Sequence, residues 1–224
     1  MRAMRGNFKA VIWDMDGLLL DTERVALESW TAAVEEMGAE ADENVFRGII
    51  GMNRKSWEEK LRKDLDHSLD VDELISVTNR IYKQRIEEGV PMKQGARNCL
   101  EWLREKGIPQ ALATSTNRSY TQHKLGKHDL EGFFKAIVTG DRVAHGKPHP
   151  EIFQTAAREI QVAPEQCLVF EDSRLGVIGA AASGAYVILV PDIGSHDQES
   201  LSKVDKELPT LSHALPYLEK IFAL

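Results

Sequence analysis

An alternation with a single break in it limits what this chain can fold into more than any other feature. Five short apolar runs, Phe8 to Trp13, Ile108 to Ala113, Ala136 to Thr139, Cys167 to Phe170 and Tyr186 to Val190, have the length and residue types of buried strands. Helical patterns separate the later runs, over Ala96 to Lys106, Ser119 to Gly126, Pro150 to Ile160 and Leu175 to Ser183. Strands linked by helices of this length form βαβ units, so the expected fold class is α/β, with a Rossmann-like, doubly wound parallel sheet as its core. The break comes after the first strand. From Thr22 to Met92, residues such as Val25, Trp30, Val34, Leu61, Leu65, Leu74, Ile81 and Ile86 recur at three-to-four spacing with no strand among them, which predicts an inserted helical cap. The expected organisation is a discontinuous core, residues 1–21 and 93–224, and a small α-helical cap, residues 22–92. Pro and Gly near the joints, at Asp21 and at Pro91 to Gly95, can absorb hinge motion. The polar stretch from Gly194 to Pro209 reads as loop, and Leu211 to Leu224 as a closing helix.

Open parallel sheets bind ligands at the carboxyl ends of their strands. Several polar groups of this chain stand there. Asp14 and Asp16 follow the first run, Thr114 and Ser115 the second, Glu171 and Asp172 the fourth, and Lys147 lies in the connection after the third. Carboxylates brought together repel one another unless a cation sits among them, and Mg²⁺ prefers oxygen ligands, one or two of them carboxylates, alongside a substrate phosphate. Asp14, Asp16 and Asp172 can supply that partial cage. Thr114, Ser115 and Lys147 supply the hydroxyl, backbone N–H and point charge that a phosphate requires. A carboxylate at such a centre can attack phosphorus and divide one hard displacement into two easier ones.

Composition narrows the partners. A formal net charge of −7 disfavours nucleic acid and anionic membrane, which need a basic stripe. No run of apolar residues is long enough for a signal peptide or a membrane span, and Cys99 and Cys167 lie in apolar surroundings as buried thiols, so the expected location is the cytoplasm. The expected partner is a small phosphorylated metabolite, and the size and charge permit a monomer.

The segment Asp14-Met15-Asp16-Gly17-Leu18-Leu19-Leu20-Asp21-Thr22 resembles the first signature of the haloacid dehalogenase-like hydrolases. Leu112-Ala113-Thr114-Ser115 is similar to the second, Gly146-Lys147-Pro148-His149-Pro150 to the third, and Phe170-Glu171-Asp172-Ser173 to the fourth, in the family's order. The resemblance covers nearly the whole chain and includes a helical cap after the first strand. It implies a Mg²⁺-dependent phosphatase in which Asp14 is nucleophile and metal ligand, while Asp16 is general acid and base and also meets the metal through its main-chain oxygen. It further implies that Thr114, Ser115 and Lys147 hold the phosphoryl group, that Asp172 ligates the metal, and that Glu171 is a ligand or supports one. Thr22 would orient substrate or cap, and Arg54 would contact the far end of the substrate. Asp16 argues for phosphoryl transfer over dehalogenation, because a leaving alkoxide needs a proton. Asp21-Thr22-Glu23-Arg24 and Gly107-Ile108-Pro109 look close to sugar-phosphate and pseudouridine 5′-phosphate phosphatases.

Two other readings compete. A phosphomutase of the β-phosphoglucomutase kind shares the cap, but its sugar-handling histidine and cap lysine would align with Ala26 and Ile50. A phospho-accepting signalling receiver combines similar groups in a different chain order, with the acidic pair early and the acceptor after a later strand. Bland readings attach to several residues as well. Glu171 and Asp172 could cap a helix, His145 and His149 read as loop histidines, and Trp30 and Trp57 as cap packing. The small residues from Gly176 to Gly184 read as a close-packing helix face.

Overall fold

The computed structural model describes residues 7–50, 54–65 and 69–222. Strand β1 (Ala10–Trp13) leads into the helices α1 (Thr22–Glu36), α2 (Glu43–Arg47), α3 (Arg54–Asp64) and α4 (Val71–Glu88). The chain then alternates: α5 (Ala96–Glu105), β2 (Gln110–Ala113), α6 (Arg118–Gly126), β3 (Ala136–Val138), α7 (Glu151–Glu159), β4 (Cys167–Glu171), α8 (Arg174–Ser183) and β5 (Tyr186–Leu189). A short helix α9 (Gln198–Leu201), a two-residue strand β6 (Lys206–Glu207) and α10 (Ala214–Phe222) complete it.

The strands form one parallel sheet in the order β3-β2-β1-β4-β5-β6. Alternate residues of each strand enter opposite layers, as the two-residue period of a pleated strand requires. Val11, Trp13, Leu112, Leu168, Phe170 and Ile188 face α5 and α10, whereas Ala10, Ile12, Ala111, Ala113, Val169 and Val187 face α7 and α8. Both faces are therefore covered, and the strands read as continuous apolar runs. Trp13 stacks on Phe170 at 4.4 Å between ring centroids, and its indole N–H donates to Gln110 Oε1 at 3.0 Å, so a polar pair inside the sheet is satisfied. Cys99 and Cys167 are buried free thiols, each pushed up to about 12 by burial.

The inserted helices carry a separate apolar cluster of Leu27, Val34, Phe46, Leu61, Leu74 and Ile75, with Trp30 stacked on Phe46 at 5.4 Å and edge-on to Trp57 at 5.8 Å. Val25 of α1 and Ile86 of α4 instead join the core's layer. The segment leaving β1 and the segment returning after α4 run side by side. Leu20 bridges Met92, Asp21 N–H donates to the Pro91 carbonyl at 2.9 Å, and Lys93 N–H donates to the Leu19 carbonyl at 2.9 Å. Lys93 also reaches Asp21 and Asp192, at 3.2 and 2.5 Å.

Two corrections concern the expected C-terminal part. The stretch read as loop holds α9 and β6. Strand β6 is only Lys-Glu and is exposed, so no apolar pattern marks it; backbone bonds such as Leu208 N–H to the Leu189 carbonyl, 2.9 Å, place it on the sheet's edge. The closing helix begins at Ala214, after a single 3₁₀ turn over Leu211–His213. Among the described residues, no helix is long and apolar enough to cross a membrane.

Candidate active site

The carboxyl edge of the sheet gathers its charged groups because the strands that carry them are neighbours. β1 lies between β2 and β4, and Asp14 N–H continues the β1–β4 ladder by donating to the Phe170 carbonyl at 3.1 Å. Asp14 is 5 % exposed, Asp172 6 % and Glu171 0 %. Lys147, arriving from the loop between β3 and α7, hydrogen-bonds to Asp14 Oδ1 and, at 2.5 Å, to Glu171 Oε1, with its ammonium 5.0 Å from the centre of the Phe153 ring. One oxygen from each of Asp14, Glu171 and Asp172 falls within a 4.8 Å span.

Burial and crowding act on these acids together. Burial pushes Asp14 up to about 8 against the pull of Lys147, and Glu171 and Asp16 add to the rise. Asp172 is raised well above the usual carboxylate range, first by burial and then by Glu171 and Asp14. For Lys147 burial opposes the charge, but Asp14 and Glu171 outweigh it and raise its pKa. One lysine does not satisfy three buried acids: Asp172 Oδ1 is buried with no hydrogen-bond partner. An orphaned carboxylate oxygen beside two other acids fits a hard divalent cation with oxygen ligands, such as Mg²⁺.

The backbone makes room for this cluster. At Gly17, φ is +84°, and a Cβ there would lie 2.2 Å from Asp172 Oδ2, so both conformation and space call for glycine. A Cβ on Gly176 would lie 1.8 Å from Glu171 Oε1. The small face of α8 thus serves the site as well as the sheet, and the cap of α8 is neither Glu171 nor Asp172. Ser173 accepts from Gly176 N–H at 3.1 Å while donating its own N–H and Oγ to Glu171 Oε2 at 2.8 and 2.9 Å.

Asp16 sits in a second group. Its Oδ2 accepts from Thr116 Oγ1 at 2.6 Å and more distantly from Thr114 Oγ1 at 3.4 Å, and its Oδ1 meets Lys124 Nζ at 2.6 Å. Thr114 is buried, and its N–H donates to the Val138 carbonyl at 3.0 Å. Ser115 is exposed at the end of β2, on a backbone that passes so close to Gly140 that a Cβ there would lie 2.2 Å from the Ser115 carbonyl oxygen. Thr22 is 3 % exposed and its hydroxyl has no partner. Arg54 opens α3, but its side chain, like residues 51–53, lies outside the described residues.

Thr116, Lys124, Ser173 and Glu23 belong to this neighbourhood without having been singled out in the sequence. Lys124 left one trace, because a lysine falls on the buried face of α6 with Thr121 and Leu125. Glu23, on the first turn of α1, is pushed up to about 7 by burial, then by Asp16 and Asp192. Between the cap and the core, Lys83, Ile86 and Glu87 of α4 face Ser119, Tyr120 and His123 of α6 across a cleft of about 240 Å³.

Residues 11–190 match the family described as haloacid dehalogenase-like hydrolase. A phosphorylated carbohydrates phosphatase of Thermotoga maritima is 35% identical over 79% of this chain and 82% of its own. A Saccharomyces cerevisiae relative named "Probable pseudouridine-5'-phosphatase" is 35% identical over 84% of each chain. The crystal structure of a HAD family hydrolase from Deinococcus radiodurans R1, with bound phosphate and sodium, superposes with a TM-score of 0.84 at 25% identity, covering 98% of both chains. The six-stranded parallel sheet, the acids gathered at its carboxyl edge and these likenesses lead to one assignment: the chain belongs to the haloacid dehalogenase-like hydrolase family.

Proposed function

We propose that this enzyme is a Mg²⁺-dependent phosphatase that hydrolyses the monoester of a small phosphorylated sugar or nucleoside through an aspartyl-phosphate on Asp14. Its standing as a phosphoric monoester hydrolase is supported by the family match and by the named phosphatases among its relatives. One observation carries the finer reading: of three buried acids, Asp14 and Glu171 share one lysine and Asp172 Oδ1 is left without a partner. Asp14, Asp172 and the main-chain oxygen of Asp16 would hold the ion, with Glu171 beside them. The ion supplies positive charge that lets acids and phosphate come together and draws electron density from the phosphoryl oxygens.

The chain's own groups do the rest. Lys147, with the Thr114 hydroxyl and the Ser115 N–H, neutralises and orients the phosphoryl oxygens. An oxygen of Asp14 then forms a bond to phosphorus as the ester P–O bond breaks, and the departing alkoxide takes a proton from Asp16. In the second step Asp16 removes a proton from water, the hydroxide bonds to phosphorus, and the Asp14–phosphorus bond breaks to release inorganic phosphate. Thr116 and Lys124 hold both oxygens of Asp16 in the free enzyme. Reaching a leaving-group oxygen means releasing one of these contacts, and substrate entry beneath the cap is the event that exchanges them.

Residues 22–92 act as a cap that moves on its paired linkers, excludes bulk water and chooses the substrate, with Thr22 and Arg54 as its specificity residues. The test is a phosphate-release screen over phosphorylated sugars and nucleotides, with and without Mg²⁺, beside Asp14→Asn. Loss of the attacking oxygen should lower turnover by on the order of a thousandfold, about 4 kcal/mol of barrier. Activity near wild type in Asp14→Asn, or turnover indifferent to Mg²⁺, would refute the proposed chemistry. Isomerised sugar without free phosphate would point to a mutase.

A further inference from the structure

Among the described residues, one other group brings three ligand side chains together: His145, His149 and Glu151, whose donor atoms all lie within 4.8 Å of one another. They belong to the loop between β3 and α7 and to the first residue of α7, and the reaction outlined above does not use them. The carboxylate is fixed before any ligand arrives. Glu151 Oε1 accepts from the Ala144 N–H at 2.9 Å and Oε2 from the His145 N–H at 3.0 Å. The first of these bonds, with the contact to the His145 ring, holds the carboxyl below its usual range.

The imidazoles converge on that anchor. His145 Nδ1 is 3.0 Å from Glu151 Oε2 and His149 Nδ1 is 3.9 Å from it, with the rings 4.7 Å apart. The Glu151 N–H points to His149 Nδ1 at 3.3 Å, a long bond that favours the tautomer with its lone pair on that nitrogen, and an ion taking that lone pair displaces it. Around a tetrahedral zinc ion with bonds of about 2.0–2.1 Å, neighbouring donor atoms stand roughly 3.3 Å apart. The His145–Glu151 spacing is already close to this, and His149, at 3.9 Å from the carboxylate, needs to approach it by roughly half an ångström or a little more. Side-chain exposures of 67% and 50% for the two histidines leave the approach and a fourth position open to water.

We propose that His145, His149 and Glu151 form a surface site for a divalent transition ion of the zinc class, separate from the buried acid cluster. Donor chemistry keeps the two sites distinct. Imidazole nitrogens suit Zn²⁺, Co²⁺ and Ni²⁺, whereas the all-oxygen cluster of Asp14, Glu171 and Asp172 suits a hard ion. Position gives the site a consequence, because its two histidines stand two residues on either side of Lys147. An ion bound there ties the loop that presents this lysine to the first turn of α7.

The test uses the full chain without a histidine tag, in excess Mg²⁺, with Co²⁺ as probe. The wild type should take up one Co²⁺ with a visible absorption band and broadened imidazole resonances. His149→Ala should weaken that binding by more than the roughly 10–100-fold that loss of a supporting contact costs, while Asp172→Asn leaves it intact. Phosphate release in Mg²⁺ by His149→Ala, a surface variant, should match the wild type, which also reports that it has folded. The proposal is overturned if the wild type binds no Co²⁺, if binding survives both His149→Ala and Glu151→Gln, or if Asp172→Asn abolishes it. None of these outcomes depends on Asp14 being the nucleophile.

Discussion

The sheet's edge and the cap both contain oppositely charged pairs, and the same chemistry has different weight in the two places. Lys147 meets Asp14 and Glu171 with side-chain exposures of 6%, 8% and 0%, whereas Arg80 and Glu36 join two cap helices at 55% and 52%. Water screens the cap pairs and can replace either partner at little cost. At the edge, removing one partner strands charge in a medium that solvates it poorly. Fixed positions accompany burial, so the edge suits chemistry that needs defined geometry. The Arg80–Glu36 pair, open to water, carries no such constraint.

The sharpest way to break this contrast is to remove the shared cation. Lys147→Met in Mg²⁺-free buffer should cost about 3–5 kcal/mol in urea unfolding, and Mg²⁺ should restore part of it by occupying the stranded acids. Phosphate release should also fall by on the order of a hundredfold to a thousandfold, the usual worth of a preorganised donor to developing charge. A variant as stable as the wild type would mean that the edge behaves like the cap.

Next comes Gly176→Ala. Helix propensity alone predicts a gain of about 1 kcal/mol, but the new methyl group would intrude on the Glu171 carboxylate. We expect a loss of about 1–3 kcal/mol, read from thermal or urea unfolding, and a stabilised variant would show that the crowding is relieved elsewhere.

The third test varies pH. Without metal, the folded chain keeps protons on Asp14, raised to about 8, and on Asp172 and Glu23, which the unfolded chain has released. The folded state then binds more protons, so stability should fall as pH rises from the ordinary aspartate range near 4 towards about 8. The expected loss is about 1.4 kcal/mol or more, the worth of one tenfold change in proton affinity. Saturating Mg²⁺ should flatten the slope, and urea midpoints equally steep in pH with and without Mg²⁺ would contradict the assignment of the acids to an ion. Smallest of all, Arg80→Ala should change stability by no more than about 0.5–1 kcal/mol; a larger cost would place the cap's pairs in the same class as the edge's.

The contrast also explains what could be read in the sequence. Strands buried on both faces announce themselves as apolar runs, and the polar residue that ends each run marks the sheet's edge, so Asp14, Thr114, Glu171 and Asp172 were legible as neighbours. Lys147 was legible through its motif, since it arrives from a loop. Thr116 and Lys124 were not, because they reach Asp16 from a segment whose meeting with it depends on how α6 rests on the sheet. β6 was hidden for another reason: its place comes from backbone bonds to β5, which leave no mark on residue type. His145 and His149 were visible as a pair, but the carboxylate beside them comes from the start of a helix and had no motif to mark it.

The linkers at Leu20 and Met92 leave the core and return to it side by side. A detour whose two ends already touch can change length without shifting any strand, provided that the contacts of Val25 and Ile86 with the core's layer are kept. The helices between those two points can therefore vary while the sheet's edge stays as it is, and an engineer who grafts a different set of helices there would be using the same joint.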